Sequence, residues 1–347
     1  MATMRAVVLR EHGGPEVLRE ESIAQPDPGP GQVRVKIAAV AVNHLDIWVR
    51  RGGPAFKLEY PHRLGADVAG TIDAFGPGAD QGGLAVGDRV VVNPGVSCGH
   101  CQTCLSGADN LCRSYHILGE STQGGYSEYL VIPRQNLAPF PKNCSFEQAS
   151  AVLLPFLTAW QMLVRKARVS AGDAVLIHGA GSGVGVAATQ ICKLFGARVL
   201  ATASSEEKLA KARELGADET INYQSEDFVA AARAFTGKRG VDVVFEHVGG
   251  ETFERSIKAA RNGGRIVTCG ATSGFKASVD LRHVFFRQIE ILGSTMGSKG
   301  DLFNVLAQVE AGALKPVIDR VLPLAQAGDA HRLLEERRAF GKIVLTP

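Results

Sequence analysis

From residue 174 onward the sequence alternates short apolar runs with helical stretches, and that alternation limits the possible folds more than any other feature. Residues 174–178, 198–202, 241–247 and 265–269 are apolar runs of strand length. Between them the spacing predicts helices over 183–195, 206–215 and 252–260. Strands separated by whole helices cannot close as hairpins. They imply a parallel sheet covered on both faces, the doubly wound α/β arrangement.

The chain before about residue 150 has a different texture. Alternating apolar positions such as Val33, Val35 and Ile37 are broken by Gly and Pro clusters at 26–31 and 76–83, which reads as an irregular β domain. A chain of 347 residues with 45% hydrophobic and 21% charged content can bury two cores. We therefore expect one domain from residues 1–155 and 296–347 and a second from 156–295. No internal repeat or low-complexity tract interrupts this division.

Several function classes lose support at once. The formal net charge of +3 is spread among acidic residues, so neither a nucleic acid nor a membrane partner is indicated. The apolar stretch 149–160 is interrupted by Pro155 and falls short of the roughly 18 residues a spanning helix needs. Residues 1–11 hold one short apolar run, too short for a signal-peptide core. A cytoplasmic protein with a small-molecule substrate is the expectation.

The turn after the first apolar run reads His178-Gly179-Ala180-Gly181-Ser182-Gly183-Val184-Gly185. Glycines there let backbone amides approach a pyrophosphate at the positive end of a helix dipole, so Gly181, Ser182, Gly183 and Val184 are candidate dinucleotide contacts. The glycines fall at every second position, not in the literal G-x-G-x-x-G spacing. An NAD site would usually carry Asp or Glu about twenty residues further on, at the end of the second strand. Here stand Ala203-Ser204-Ser205, followed by Lys208. Small hydroxyls and a cation leave room and charge for a 2′-phosphate, which favours NADP(H) over NAD(H), although Glu206 and Glu207 argue the other way.

Four of the seven cysteines fall within residues 98–112, spaced Cys98-x2-Cys101-x2-Cys104-x7-Cys112. Four thiolates at that spacing can close a tetrahedron with no open position, which defines one structural zinc per chain. An iron-sulfur cluster of the bacterial type would continue with x3-C-P, which is absent. Cys144, Cys192 and Cys269 are expected to be small buried thiols.

These motifs together resemble the medium-chain dehydrogenase/reductase superfamily of zinc-type alcohol dehydrogenases and quinone reductases. The resemblance runs from Met4-Arg5-Ala6-Val7 to Gly341-Lys342-Ile343-Val344-Leu345. It includes Gly124-Gly125-Tyr126-Ser127-Glu128-Tyr129 and Leu154-Pro155-x2-Thr158-Ala159-Trp160. It implies a GroES-like β-rich catalytic domain carrying the zinc lobe at 98–112, and a Rossmann domain.

Relatives of the alcohol dehydrogenase kind hold a second, catalytic zinc, and the matching positions here are Asn43, Ala66 and Phe156, none of them a suitable ligand. Val42-Asn43-His44-Leu45-Asp46 and Gly65-Ala66-Asp67-Val68-Ala69-Gly70 instead look like the zinc-free quinone reductase branch. Without a Lewis acid worth several kcal/mol, simple alcohol oxidation becomes difficult. Acceptors that delocalise charge, such as quinones, enones or enoyl thioesters, become the expected substrates. The alternative is a zinc-type alcohol dehydrogenase with a rearranged site drawing on His44, Asp46, His62, Asp67 or His116. In the favoured reading Asn43 donates to the substrate oxygen and His44 supplies a proton, while Asp46 orients its neighbours and Trp48 walls the pocket. The resemblance also implies Thr158 and Val184 at the nicotinamide, Lys208, Tyr223 and Arg337 around the adenosine phosphate, and a homodimer through residues near 289–295.

Overall fold

In the computed structural model, which describes residues 2–54, 56–79 and 81–347, the chain divides into two compact units. One comprises Met1–Leu154, Ser298–Gly312 and Pro316–Pro347, the other Pro155–Gly297 with Ala313–Lys315. The second unit thus extends two residues beyond the expected 295 and includes a short later segment. The side chain of Gln190 secures that segment, accepting from the Lys315 N–H at 2.8 Å and donating to its carbonyl at 2.9 Å.

The second unit is built on a six-stranded sheet, parallel throughout, in the order Glu219–Asn222, Arg198–Ala203, Ala174–Ile177, Val241–Glu246, Ala260–Thr268 and Glu290–Gly293. The chain reverses its direction of winding at Ala174–Ile177, the switch point beside which doubly wound sheets bind ligands at their carboxyl ends. Continuous apolar runs suit strands covered on both faces: Val175, Leu176, Val243, Val244 and Phe245 are all fully buried.

Three details differ from the sequence reading. Glu219–Asn222 and Glu290–Gly293 are four-residue strands at the two edges, where partly exposed positions need no apolar run. The strand expected at 265–269 begins at Ala260, because a register shift between Val241 and Val243 admits Arg261-Asn262-Gly263-Gly264 into the ladder. Cys144 and Cys192 are buried as expected, but Cys269 is partly exposed.

The first unit carries a seven-stranded sheet in which Lys342–Thr346, Gln32–Ala41 and Asp67–Phe75 are consecutive neighbours. Val344 and Asp67 both lie opposite Ala41, so the starts of two strands meet the end of the third. The alternation of Val33, Val35 and Ile37 with polar neighbours places one face of the central strand in the core beside Val68, Ile72, Val90 and Val92. Among the described residues no helix is long and apolar enough to cross a membrane.

Candidate functional site

In the second unit the glycine-rich turn is shaped by close backbone approaches. Gly179 takes the left-handed conformation at φ 58°, and its N–H donates to the Thr202 hydroxyl of the adjacent strand at 3.3 Å. Ser182 caps the helix Gly183–Leu194 by accepting from the Gly185 N–H at 3.0 Å. A side chain at Gly185 would put its Cβ 2.4 Å from the Gly179 carbonyl oxygen, so glycine is required for the helix to start this close to the strand. The first amides of this helix, at Gly183 and Val184, have no intrahelical acceptors and suit an anion. The sequence reading missed His247, whose ring would lie 3.1 Å from a Cβ at Gly179 and whose Nε2 lies 2.8 Å from the His178 carbonyl oxygen. Burial pushes both His247 and His178 below the usual histidine range, His178 to about 3.

Further along the same sheet edge, the pairing of Ala203 with Asn222 sets Ser204 and Tyr223 side by side, one residue past each strand. Ser205 caps the helix Glu206–Glu214 by accepting from the Lys208 N–H, which places Lys208 in the first turn beside them. Glu207 is drawn along the helix, accepting from Lys211 at 2.7 Å. The structure thus gathers Gly181, Ser182, Gly183 and Val184 at one turn, and Ser204, Lys208 and Tyr223 at a neighbouring strand end. Thr158 is buried, its hydroxyl 4.0 Å from the Met296 sulfur. Arg337 belongs to the first unit, just past the helix Ala327–Glu335.

In the first unit the three meeting strand ends bring Asn43, Asp67 and Lys342 into one buried cluster. The Lys342 ammonium donates to the Val42 carbonyl at 2.7 Å, to Asn43 Oδ1 and to Asp67 Oδ2 at 3.1 Å. Asn43 Nδ2 donates to Asp67 Oδ2 at 2.9 Å and makes a longer contact, 3.4 Å, with the Ala41 carbonyl. Asp67 Oδ1 accepts from the Leu154 N–H at 2.8 Å. Asp46, one turn into the helix His44–Arg51, accepts from the Asn43 N–H at 2.7 Å and the Gly65 N–H at 2.9 Å. Burial raises the pKa of both carboxyls, Asp46 to about 6. His44 and Trp48 lie on one face of that helix, four residues apart, with ring centroids 6.5 Å apart.

The part played by Lys342 was not read from the sequence, though a lone cation opening the apolar run Ile343-Val344-Leu345 was a usable signal. Two of the three histidines of the rearranged-zinc alternative bond elsewhere: His62 bonds the Gly119 carbonyl and His116 lies by the Ser121 hydroxyl. Among the described residues only Cys98, Cys101, Cys104 and Cys112 form a close group of three or more metal-type donors. Four of the six sulfur pairs lie 3.5–3.8 Å apart, and all the sulfurs lie within 4.8 Å of one another. A zinc with ~2.3 Å bonds to sulfur requires tetrahedral edges of about 3.8 Å, so the set fits that ion. The lobe is also tied to the helix Lys299–Glu310, since Asp109 accepts from the Lys299 N–H at 2.9 Å and Lys299 Nζ donates to the Ser97 hydroxyl at 2.7 Å.

Comparison with known proteins supplies independent findings. Residues 29–142 match the family described as alcohol dehydrogenase GroES-like domain, and residues 183–311 match zinc-binding dehydrogenase. The chain is 31% identical over 350 residues to quinone oxidoreductase from Homo sapiens, covering 99% of this chain and 97% of that protein. It is 31% identical over 356 residues to 2-haloacrylate reductase from a Burkholderia species, covering 99% and 98%. A crystal structure described as NAD-dependent alcohol dehydrogenase superposes with a TM-score of 0.95 at 57% identity, covering 99% of this chain and all of that one.

Proposed function

This chain belongs to the medium-chain dehydrogenase/reductase superfamily, an NAD(P)-dependent oxidoreductase with GroES-like and Rossmann domains, and from that premise we propose that it reduces activated acceptors with NADPH and without a catalytic zinc. The acceptors are quinones, enones or enoyl-type C=C bonds. The supporting observation is the buried Asn43–Asp67–Lys342 cluster, which includes Asn43, one of the three positions that match the second zinc's ligands in alcohol dehydrogenases. The Lys342 ammonium is its cation, bonded to Asn43 Oδ1 and Asp67 Oδ2, and Asn43 Nδ2 donates to the same Asp67 oxygen.

NADPH, when bound, supplies a hydride to a carbon conjugated with the acceptor's carbonyl. As charge grows on the carbonyl oxygen, the chain has to provide the hydrogen bond that holds it. Lys342 occupies Asn43 Oδ1 and thereby fixes which edge of the amide is the donor. One Nδ2 hydrogen is committed to Asp67, and the other has only the 3.4 Å contact with Ala41 and serves the substrate. His44 delivers the proton that completes reduction, Asp46 orients Asn43 through its backbone, and Trp48 limits the pocket.

Ser204, Lys208 and Tyr223 receive the 2′-phosphate, with Arg337 as a further candidate and with Thr158 and Val184 at the nicotinamide end. Cys98, Cys101, Cys104 and Cys112 hold one structural zinc. A homodimer forms through the edge strand Glu290–Gly293, which among the described residues pairs with Ala260–Thr268 alone and carries Ile291, 42% exposed, a few residues after the exposed Phe285 and Phe286.

The second reading is an alcohol dehydrogenase, favoured by the 57% identical structure of that description. A screen of quinones, enones, enoyl thioesters and alcohols with both dinucleotides, with metal content measured on the same sample, separates the two. We expect activity on the first three classes and about one zinc per chain. Alcohol oxidation with close to two metal ions per chain would replace our reading with the second. Lys208→Ala should raise the NADPH KM about tenfold or more while leaving that for NADH nearly unchanged, since only the former carries the extra phosphate. Equal effects would remove the NADPH preference.

A further inference from the structure

Where the strand Ala174–Ile177 ends and the glycine-rich turn begins, side chains take over from the backbone ladder. The His178 N–H still donates to the Phe245 carbonyl of the neighbouring strand at 3.3 Å. The next peptide group, between His178 and Gly179, is held from both sides. Its N–H donates to the Thr202 hydroxyl at 3.3 Å, and its carbonyl oxygen lies 2.8 Å from His247 Nε2. A carbonyl can only accept, and burial keeps the His247 ring neutral, so the single ring hydrogen stands on Nε2 and donates.

This peptide needs holding because of the residue that follows it. Glycine takes positive and negative φ about equally readily, so the peptide before Gly179, at φ 58°, can rotate at little steric cost. Rotation would carry its N–H off Thr202 and its carbonyl off His247. The turn beyond is short and closed. The Ala180 N–H donates to the Thr202 carbonyl at 2.9 Å, and the Ser182 N–H to the Gly179 carbonyl at 2.9 Å. The orientation of the first peptide therefore sets where the amides at Gly181 to Val184 point. His247 stands firmly enough to fix it. Its Cε1 and Nε2 lie 3.1 and 3.3 Å from the place of a Cβ at Gly179, and its ring packs edge-on against the buried Phe245 with centroids 5.9 Å apart. Its own carbonyl accepts from the Thr272 N–H at 3.2 Å and hydroxyl at 3.3 Å. The His178 ring is engaged elsewhere, with Nε2 2.9 Å from the Ser256 hydroxyl.

We propose that His247 is a positioning residue for the dinucleotide: by holding the His178 carbonyl it fixes the peptide at the head of the turn, and with it the amides that receive the pyrophosphate. The proposal rests on the reading of Gly181, Ser182, Gly183 and Val184 as the pyrophosphate contacts. Its effect is common to NADH and NADPH, unlike that of Lys208, because both carry the pyrophosphate.

Two probes test this by calorimetry on the full-length protein: ADP-ribose, which contains the pyrophosphate, and adenosine 2′-phosphate, which does not. His247→Phe keeps a ring beside Gly179 and removes the donor. It should weaken ADP-ribose about tenfold, the loss of one buried hydrogen bond, and change adenosine 2′-phosphate less than about twofold. His247→Gln can place an amide N–H near the position of Nε2 and should recover most of the loss. Thr202→Val releases the other side of the same peptide and should also weaken ADP-ribose. Combined with His247→Phe it should cost little more, since a peptide already free has no second restraint to lose. Gly181→Asp, which sets a carboxylate among the amides, should abolish ADP-ribose binding. Native-like ADP-ribose binding in His247→Phe, with binding lost in Gly181→Asp, overturns the proposal and leaves the reading of the turn standing. Native-like binding in Gly181→Asp removes that reading and the proposal with it. Equal weakening of both probes, or no recovery in His247→Gln, also overturns the proposal, because the ring would then serve packing alone.

Discussion

Two polar sites in the first unit solve opposite problems. At Cys98–Cys112 four sulfurs crowd together, and each finds close sulfur neighbours with no cationic side chain among them. Four thiolates at that distance repel one another unless a cation sits at their centre, which is what the proposed structural zinc would supply. At Asn43, Asp46, Asp67 and Lys342 the charges already answer one another. The three ammonium hydrogens meet three oxygens, and every carboxylate oxygen accepts at least one hydrogen bond. Under the proposed function, a metal would answer four like donors in the lobe, whereas at the second site Lys342 already supplies a cation.

The largest effect should come from the lobe. Cys101→Ser, or strong chelation of the native protein, should remove the single zinc and unfold residues 98–112, releasing the Asp109–Lys299 tie and lowering the melting temperature sharply. Zinc sites of this class contribute on the order of 10 kcal/mol in small peptides. Metal analysis paired with thermal melting checks this. A metal-free protein that melts like the native one, or an ion that survives Cys101→Ser, would break the contrast between the two sites.

A smaller effect is expected at the other site. Lys342→Met leaves Asp67 and Asp46 buried without their cation and should cost about 3–5 kcal/mol in denaturant unfolding. Asp67→Asn added to Lys342→Met removes the uncompensated charge and should restore part of that loss, a coupling that a double-mutant cycle reads directly. Additive losses would mean that the cluster is not a charge-balanced unit.

The same contrast explains what could be read from the sequence. The lobe was legible because its four ligands fall within fifteen residues and their spacing is itself the geometry. The Rossmann turn was legible because Gly179 through Gly185 sit between a strand and a helix that follow each other in the chain. Lys342 was not, because it lies 299 residues from Asn43 and meets it only when the strand Lys342–Thr346 pairs with Gln32–Ala41. His247 and His178, 69 residues apart, were hidden for the same reason. The edge strands Glu219–Asn222 and Glu290–Gly293 carry no strong apolar signature because half-exposed positions do not require one. Asn43 was singled out as a donor, but that Lys342 fixes which edge of its amide donates is a fact of three-dimensional pairing that no local pattern encodes.

The two sites should also respond to pH with opposite signs, the smallest of these effects. Metal affinity in the lobe falls with acid, because cysteine ligands must be deprotonated to bind. At Asp46 the carboxyl is raised by burial from 3.8 to about 6, so the folded protein holds its proton more tightly than the unfolded chain does. That contribution to stability is fully present below about pH 4 and is lost as pH rises through about 6, amounting to at most about 3 kcal/mol. His178 and His331, buried neutral at about 3, act the other way, their contribution being lost as pH falls below 6.5. Taking the difference between native protein and Asp46→Asn in urea cancels the histidines and isolates the carboxyl. With zinc kept saturating, the advantage of the native protein over Asp46→Asn should shrink between pH 4 and 6. A difference that stays flat across that window would mean that Asp46 remains ionised throughout, and the pH contrast between the two sites would then rest on the cysteines alone.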